Sequence, residues 1–495
     1  MSLARSNPWW ASVALVSLLL SACGGGGGGG TAPPATGTTP PPVTTKTTYV
    51  TGSIAGFGSV IVNGVRYESD SATVSKEGKT ASQADLKAGE VITLRAETGS
   101  DGVPRAKAIE QRRLLQGTVS AVDDVADTLT VSGIVVQVTA ETLFGPGITG
   151  GLAGIVVGDR LQINGFVGAN GTAVATRVER STSDDTEIEL TGRVTALDAN
   201  AKRFTLGTQV IDFSTATFFG IAATGPGEGD LVEVKGTALL PDGALKATRV
   251  KREDAGLRGG RGDAGDLHGR VTRFVSATDF DVHGQKVTTD AATTYFGGSA
   301  GDLKADARIA VLGTLDANGV LLATKIFFKR DPVLELKAAV EAVTRADATS
   351  GTVTVLGVTF AVTADTRKED HVSRNHFFSL ADIRTGDWLE VAAFRDPADN
   401  TKWIAAKLEL VPARTRVELK GPIEQMASPD FRIAGIGITT TGSTDFRNGS
   451  RDITAAQFFD LTSINGLRVE VEGTWNGAAP LNASKVRVRP PRLPN

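Results

Sequence analysis

Along most of the chain, apolar and polar residues alternate with a period of two over short stretches. In Gly229-Asp230-Leu231-Val232-Glu233-Val234-Lys235-Gly236, Val232 and Val234 point one way while Glu233 and Lys235 point the other, as in a strand with one buried and one wet face. The design returns at Gly89-Glu90-Val91, Gly158-Asp159-Arg160, Ala305-Asp306-Ala307, Gly386-Asp387-Trp388 and Gly466-Leu467-Arg468, each leading an alternating run. Self-similarity at a regular spacing decides architecture, so the chain reads as about six copies of one unit.

Each copy opens with a strand and continues into a hairpin such as Val60-Ile61-Val62, Asn63-Gly64, Val65-Arg66-Tyr67, whose turn pair tolerates positive φ. The return strand ends near a Thr-x-aromatic signature, as in Thr142-Leu143-Phe144, and a stretch such as Ala84-Asp85-Leu86-Lys87 suits one helical turn. The Gly-Asp strand, an Asp/Asn-Gly turn and a closing strand such as Ala175-Thr176-Arg177-Val178 complete the unit. Three strands, a connection and two strands is the order of the OB barrel. The predicted fold is all-β: six tandem small five-stranded OB-like barrels behind a lipoprotein signal peptide (1–22) and a disordered tether (23–46). The barrels span 47–113, 114–180, 187–253, 266–330, 334–411 and 416–489. The polar, breaker-rich links at 181–186 and 253–266 predict flexible joints, hence beads on a string with some contact between neighbours. The fifth unit is diverged: Ala338 replaces the opening glycine, and 368–378 is a longer insertion.

Gly117-Thr118-Val119, Gly192-Arg193-Val194 and Gly269-Arg270-Val271, with the Gly-Asp strands and the Ala-Thr-Arg/Lys-Val/Ile closers, resemble the secreted bacterial repeat family known as domain of unknown function 5666. The resemblance covers nearly all of residues 47–490 and implies a fold but no catalytic residue.

A chain of 495 residues is too long for one core. With 52 basic against 55 acidic residues no global field draws it to nucleic acid, and at 6% aromatics it offers few stacking platforms, so nucleic acid is not an expected partner. The single cysteine excludes an intrachain disulfide and an all-cysteine metal site. That residue is Cys23. Arg5, an apolar run over 9–20 and then Leu20-Ser21-Ala22-Cys23 resemble a bacterial lipobox, which implies cleavage before Cys23, lipidation of its thiol and a membrane partner held through the lipid. Gly24 after the cysteine implies the outer membrane of the cell envelope, and the Gly/Pro/Thr run that follows is a tether unable to bury apolar surface.

Candidate chemistry is sparse. Glu369, Asp370, His371 and His376 in the fifth unit's insertion offer nitrogen and oxygen ligands to a divalent metal. Trp388, Trp403 and Trp475 are candidate carbohydrate platforms, with internal pairing of Trp388 and Trp403 the alternative. His283 sits in a hairpin turn and is expected to face solvent, while His268 begins a strand beside Asp266. Asp159, Asp230, Asp306 and Asp387 read as turn formers, because one aspartate per barrel cannot assemble the six to eight oxygens calcium requires. The basic residues on closing strands, among them Arg112, Arg177, Arg249 and Arg487, read as edge protection or as a stripe for an anionic polymer. Arg261-Gly262-Asp263 matches an adhesive tripeptide at the level of chance. With no nucleophile elbow, P-loop or His-Glu-x-x-His, no catalytic residue and no cofactor is assigned. The expected function is a non-catalytic envelope lipoprotein, a repeat scaffold or multivalent binder of a glycan or envelope polymer. The alternative is a metal-binding or hydrolytic site in the fifth repeat; oligomeric state is not legible.

Overall fold

The structure is a computed structural model that describes residues 45–489 apart from 170, 182–185, 254–255, 348 and 462–466. Cys23 and the expected leader lie outside the described residues. Among those described, no helix is long and apolar enough to cross a membrane.

The third unit shows how each copy closes. Its opening strand, Ile188–Asp198, pairs over residues 188–193 with the Gly-Asp strand Leu231–Leu239, then bends and pairs from Val194 onward with the hairpin strand Arg203–Leu206. The second hairpin strand, Gln209–Asp212, runs parallel to the closing strand Leu245–Arg252, which returns antiparallel to the Gly-Asp strand. This ring of five is the OB barrel expected from the strand order. Units two, four, five and six close by the same set of pairings. The first closes through a single parallel bridge between Glu68 and Arg105.

Turn chemistry follows the residues. The hairpin pairs Asn63-Gly64, Ser132-Gly133, His283-Gly284 and Ala434-Gly435 have both residues at positive φ, the twist that suits two-residue hairpins. Single 3-10 turns at Gln83–Asp85, Ala300–Asp302 and Leu380–Asp382 are entered from Ser82, Ser299 and Ser379, whose N–H and O–H donate to the aspartate three residues on. The sixth unit instead has an α-helix, Ala455–Leu461. Before the fourth strand, Gly89, Gly158, Gly229 and Gly386 have φ between +81° and +95°, and their N–H groups donate to the opening strand. In the fourth unit this left-handed seat is taken by Asp306 (φ +64°), so Asp306 replaces the glycine of the motif and is not its aspartate. The true turn aspartates, Asp159, Asp230 and Asp387, each accept a backbone N–H from three residues earlier.

The first half of each opening strand has an edge that its own hairpin does not cover. An uncovered edge is a row of unpaired backbone groups, and here another barrel covers it. Leu190 and Glu189 pair antiparallel with Leu115 and Gln116, joining units three and two. Glu335–Lys337 pair antiparallel with Glu418–Lys420, joining five and six. Thr48–Thr51 pair in parallel with Ala264–Leu267, joining one and four across two intervening units. The antiparallel seams merge the cores, so Leu115 and Leu190 share one apolar cluster and Leu336 and Leu419 another, while units one and four keep separate cores.

The beads-on-a-string expectation is therefore corrected: free strand edges and the charges described below fuse the barrels. The described part of the link at 253–266 is not a loose joint. Leu257 is buried, its N–H donates to Gln285 Oε1 at 2.8 Å, and Arg258 reaches Glu110 at 3.1 Å. Within Arg261-Gly262-Asp263, the Asp263 carboxylate accepts the N–H of Gly260 and so closes its own turn. Most of the 181–186 link lies outside the described residues.

Candidate functional site

The closing strands of units two and five carry the same charge pattern, Arg177-Val178-Glu179 and Lys407-Leu408-Glu409, on strands buried on both faces. Both strands meet where units one, two and five converge. Arg177, only 1% exposed at its side chain, donates to Ala88 O at 2.9 Å, to Glu369 Oε1 at 2.8 Å and to Glu179 Oε1 at 2.8 Å. Lys87 of unit one donates to both oxygens of Glu179. Lys407 Nζ, 2% exposed, donates to Glu390 Oε1 and Glu409 Oε2, both at 2.8 Å. Burial alone would neutralise these groups, but opposite charges outweigh it: Glu179 and Glu369 are held below the usual carboxylate range, and Lys407 is raised.

Glu369 lies on the connector strand Arg367–Asp370, which runs parallel to the closing strand with Glu369 opposite Glu409. His371 follows, its N–H donating to Leu410 O at 2.9 Å. Its Nε2 lies 3.6 Å from Glu369 Oε2 and 3.4 Å from Glu409 Oε1. Beyond these ion pairs with His371, the two carboxylate oxygens are buried and accept no hydrogen bond. Burial opposes protonation of His371, yet the two carboxylates push its pKa up to about 10, so the imidazole sits in a pocket that attracts a cation.

The expected metal set is thus half assembled. Glu369 and His371 converge, and Glu409 joins them. Asp370 and His376 do not. Asp370 turns away to accept the N–H groups of Val372, Ser373 and Asn375. His376 stacks on Phe57 of unit one at 4.1 Å between ring centroids. The 368–378 segment is buried at its start, at Lys368 and Asp370, and at Phe378, and runs over the surface at Val372, Ser373, Arg374, Asn375 and Phe377. Glu409 was missed because it sits 38 residues from His371 on a strand whose only signal is its charged alternation.

Glu141 of unit two forms a second junction. It accepts two bonds from Arg308 of unit four, at 2.8 and 2.7 Å, and lies 3.4 Å from Arg367 of unit five. Most of the basic closing-strand residues are spent in this way or on turn aspartates: Arg112 pairs with Glu253, Lys329 with Asp365, Arg252 with Asp230, Arg487 with Asp124. These paired residues are therefore not free to line a stripe for an anionic polymer.

The tryptophans also turn inward. Trp403 is 6% exposed, with the Arg395 guanidinium 3.9 Å above its ring. Trp388 pairs with Val411 at the other end of the same ladder, about 20 Å away at the rise of a strand, so the two do not stack. Trp475 is half-buried and donates Nε1–H to Glu341 Oε1 at 2.9 Å, tying unit six to unit five. His283 is half-buried and does not project freely into solvent. It meets Phe166 of unit two edge-on at 5.0 Å, and burial lowers its pKa to about 4.

Cavities lie between barrels among the described residues. One of about 360 Å³ among units one to four is lined by Leu115, Ile134, Leu190 and Leu206, with Arg112 and Arg258 among its polar groups. Another, about 420 Å³, lies among units two, five and six, with Lys407, Glu409 and His371 on its wall.

A family model described as Domain of unknown function (DUF5666) matches residues 49–110, 116–179, 191–251, 268–326, 339–409 and 420–487. No curated protein matches the chain.

Proposed function

The chain belongs to the DUF5666 family in each of its six repeats, and from that premise we propose that it is a non-catalytic lipoprotein of the bacterial cell envelope, a rigid scaffold whose binding surfaces lie between barrels. The observation that carries this reading is the spending of polar side chains and strand edges on neighbouring repeats, which leaves cavities walled by several units. A ligand is then met once per molecule, in place of one weak contact per bead. A glycan or another envelope polymer fits cavities lined by mixed charge and apolar surface. Lipidation at Cys23 and the tether would hold this body off the outer membrane.

Labelling with an alkynyl fatty acid, with membrane fractionation, tests the anchor. Wild type should carry the label and sediment with outer membrane, and Cys23→Ser should lose both; a labelled or membrane-bound Cys23→Ser would reject the anchor. Glycan-array binding of the whole chain, lost when Arg308→Ala loosens units two and four, supports sites between barrels. Equal binding by an isolated repeat would contradict them.

A further inference from the structure

We propose that Glu369, His371 and Glu409 form a binding site for one divalent transition-metal ion of the zinc or manganese class. One ligand atom from each of the three residues lies within 4.8 Å of the other two. An ion about 2.1 Å from each ligand requires tetrahedral edges of about 3.4 Å, and the two imidazole–carboxylate separations, 3.6 and 3.4 Å, are already that length.

Hydrogen bonding gives an independent reason. Each glutamate has one oxygen engaged, Glu369 Oε1 by Arg177 and Glu409 Oε2 by Lys407, and one buried oxygen that makes no hydrogen bond and has only the long ion pair to His371. Glu409 is only 5% exposed at its side chain, so its inner oxygen is held close to His371 inside the protein. Arg177 and Lys407 act as orienting partners: by fixing the outer oxygens they turn the inner ones toward His371. His371 and Glu409 also line the 420 Å³ cavity, so a fourth coordination position opens onto space large enough for water or an oxygen-bearing ligand.

The donor set selects the ion. One imidazole and two carboxylates without thiolate suit zinc, manganese or ferrous iron, and three protein ligands are too few for calcium. Affinity is tempered by the surroundings. Glu179, Glu369, Glu390 and Glu409 are balanced by Lys87, Arg177, Lys337 and Lys407, which weakens the attraction of the site for a cation.

The test uses the purified full-length chain, stripped with chelator and titrated with Zn²⁺ and Mn²⁺ by calorimetry. One ion per chain is expected, with affinity at least 100-fold lower in His371→Ala and in Glu409→Gln, and within threefold of wild type in Asp370→Asn and His376→Ala. Because His371→Ala removes a buried group, wild type labelled with ¹⁵N-histidine supplies a second readout. Sub-stoichiometric Mn²⁺ should broaden the His371 imidazole resonance and leave His283 sharp. Failure to retain either ion, unchanged affinity in folded His371→Ala, or broadening centred on another histidine would overturn the site.

Discussion

Arg177 shows at single-residue scale how the repeats are joined. Its guanidinium is withdrawn from water and bonded to a backbone carbonyl of unit one, a glutamate of its own strand and a glutamate of unit five. Removing one member of such a buried set strands the others, which costs about 3–5 kcal/mol. Arg177→Met should therefore lower the denaturant midpoint by that equivalent, whereas Lys402→Met, breaking the exposed pair with Asp399, should change stability by less than about 1 kcal/mol. Equal effects would show that the junction carries no special weight. Asp266, at the seam between units one and four, supplies a pH dependence. Burial, against the opposing hydrogen bond from Asn63 and with Asp365 and Lys329 nearby, raises its pKa from 3.8 to about 7; His268 Nε2 lies 3.6 Å away. A raised carboxylate favours folding below the unfolded pKa and loses that contribution as pH climbs through the folded value. Asp266→Asn removes the loss, so its stability relative to wild type should rise by roughly 2 kcal/mol between pH 5 and pH 8, measured by urea unfolding. A difference that stays flat would place Asp266 in contact with water.

At the scale of strands and turns, much was legible from residues alone. Alternation placed the strands, Asn63-Gly64 its hairpin, and the Ala84-Asp85-Leu86-Lys87 stretch its helical turn, because each rests on local geometry. Pairing between barrels was not legible. Thr48–Thr51 and Ala264–Leu267 alternate like any strand, and nothing local marks an edge that will meet a partner over 200 residues away. Charge was misread for a related reason: closing-strand arginines look alike whether they face solvent or another repeat. A strand-level device also emerged. Gly165, Gly236, Gly313 and Gly473 sit at register shifts in the fourth strand, where a Cβ would lie 2.1 to 2.4 Å from a closing-strand carbonyl oxygen. Units one and five place Ala96 and Ala393 at the same shift. Gly236→Ala should cost about 1–3 kcal/mol because the backbone must move. Ala393→Gly, where the bulge already accepts a side chain, should cost about 1 kcal/mol or less. The reverse ranking by thermal melting would contradict the steric origin of the bulge glycine.

For the molecule as a whole, two strand seams join consecutive units, while the seam between units one and four and the junctions at Glu141 and Glu369 link units that are not neighbours in sequence. Repeats joined only to their neighbours unfold as semi-independent links, whereas cross-linked ones lose their contacts together. Residues 45–489 should accordingly show one calorimetric transition, and a set of separate transitions would mean that the seams contribute little. The most direct measurement is small-angle X-ray scattering of the same residues in solution. A fused body of this length should give a radius of gyration of about 22–28 Å, near the value for a compact chain. A radius above about 40 Å, the signature of barrels strung out along flexible links, would contradict it.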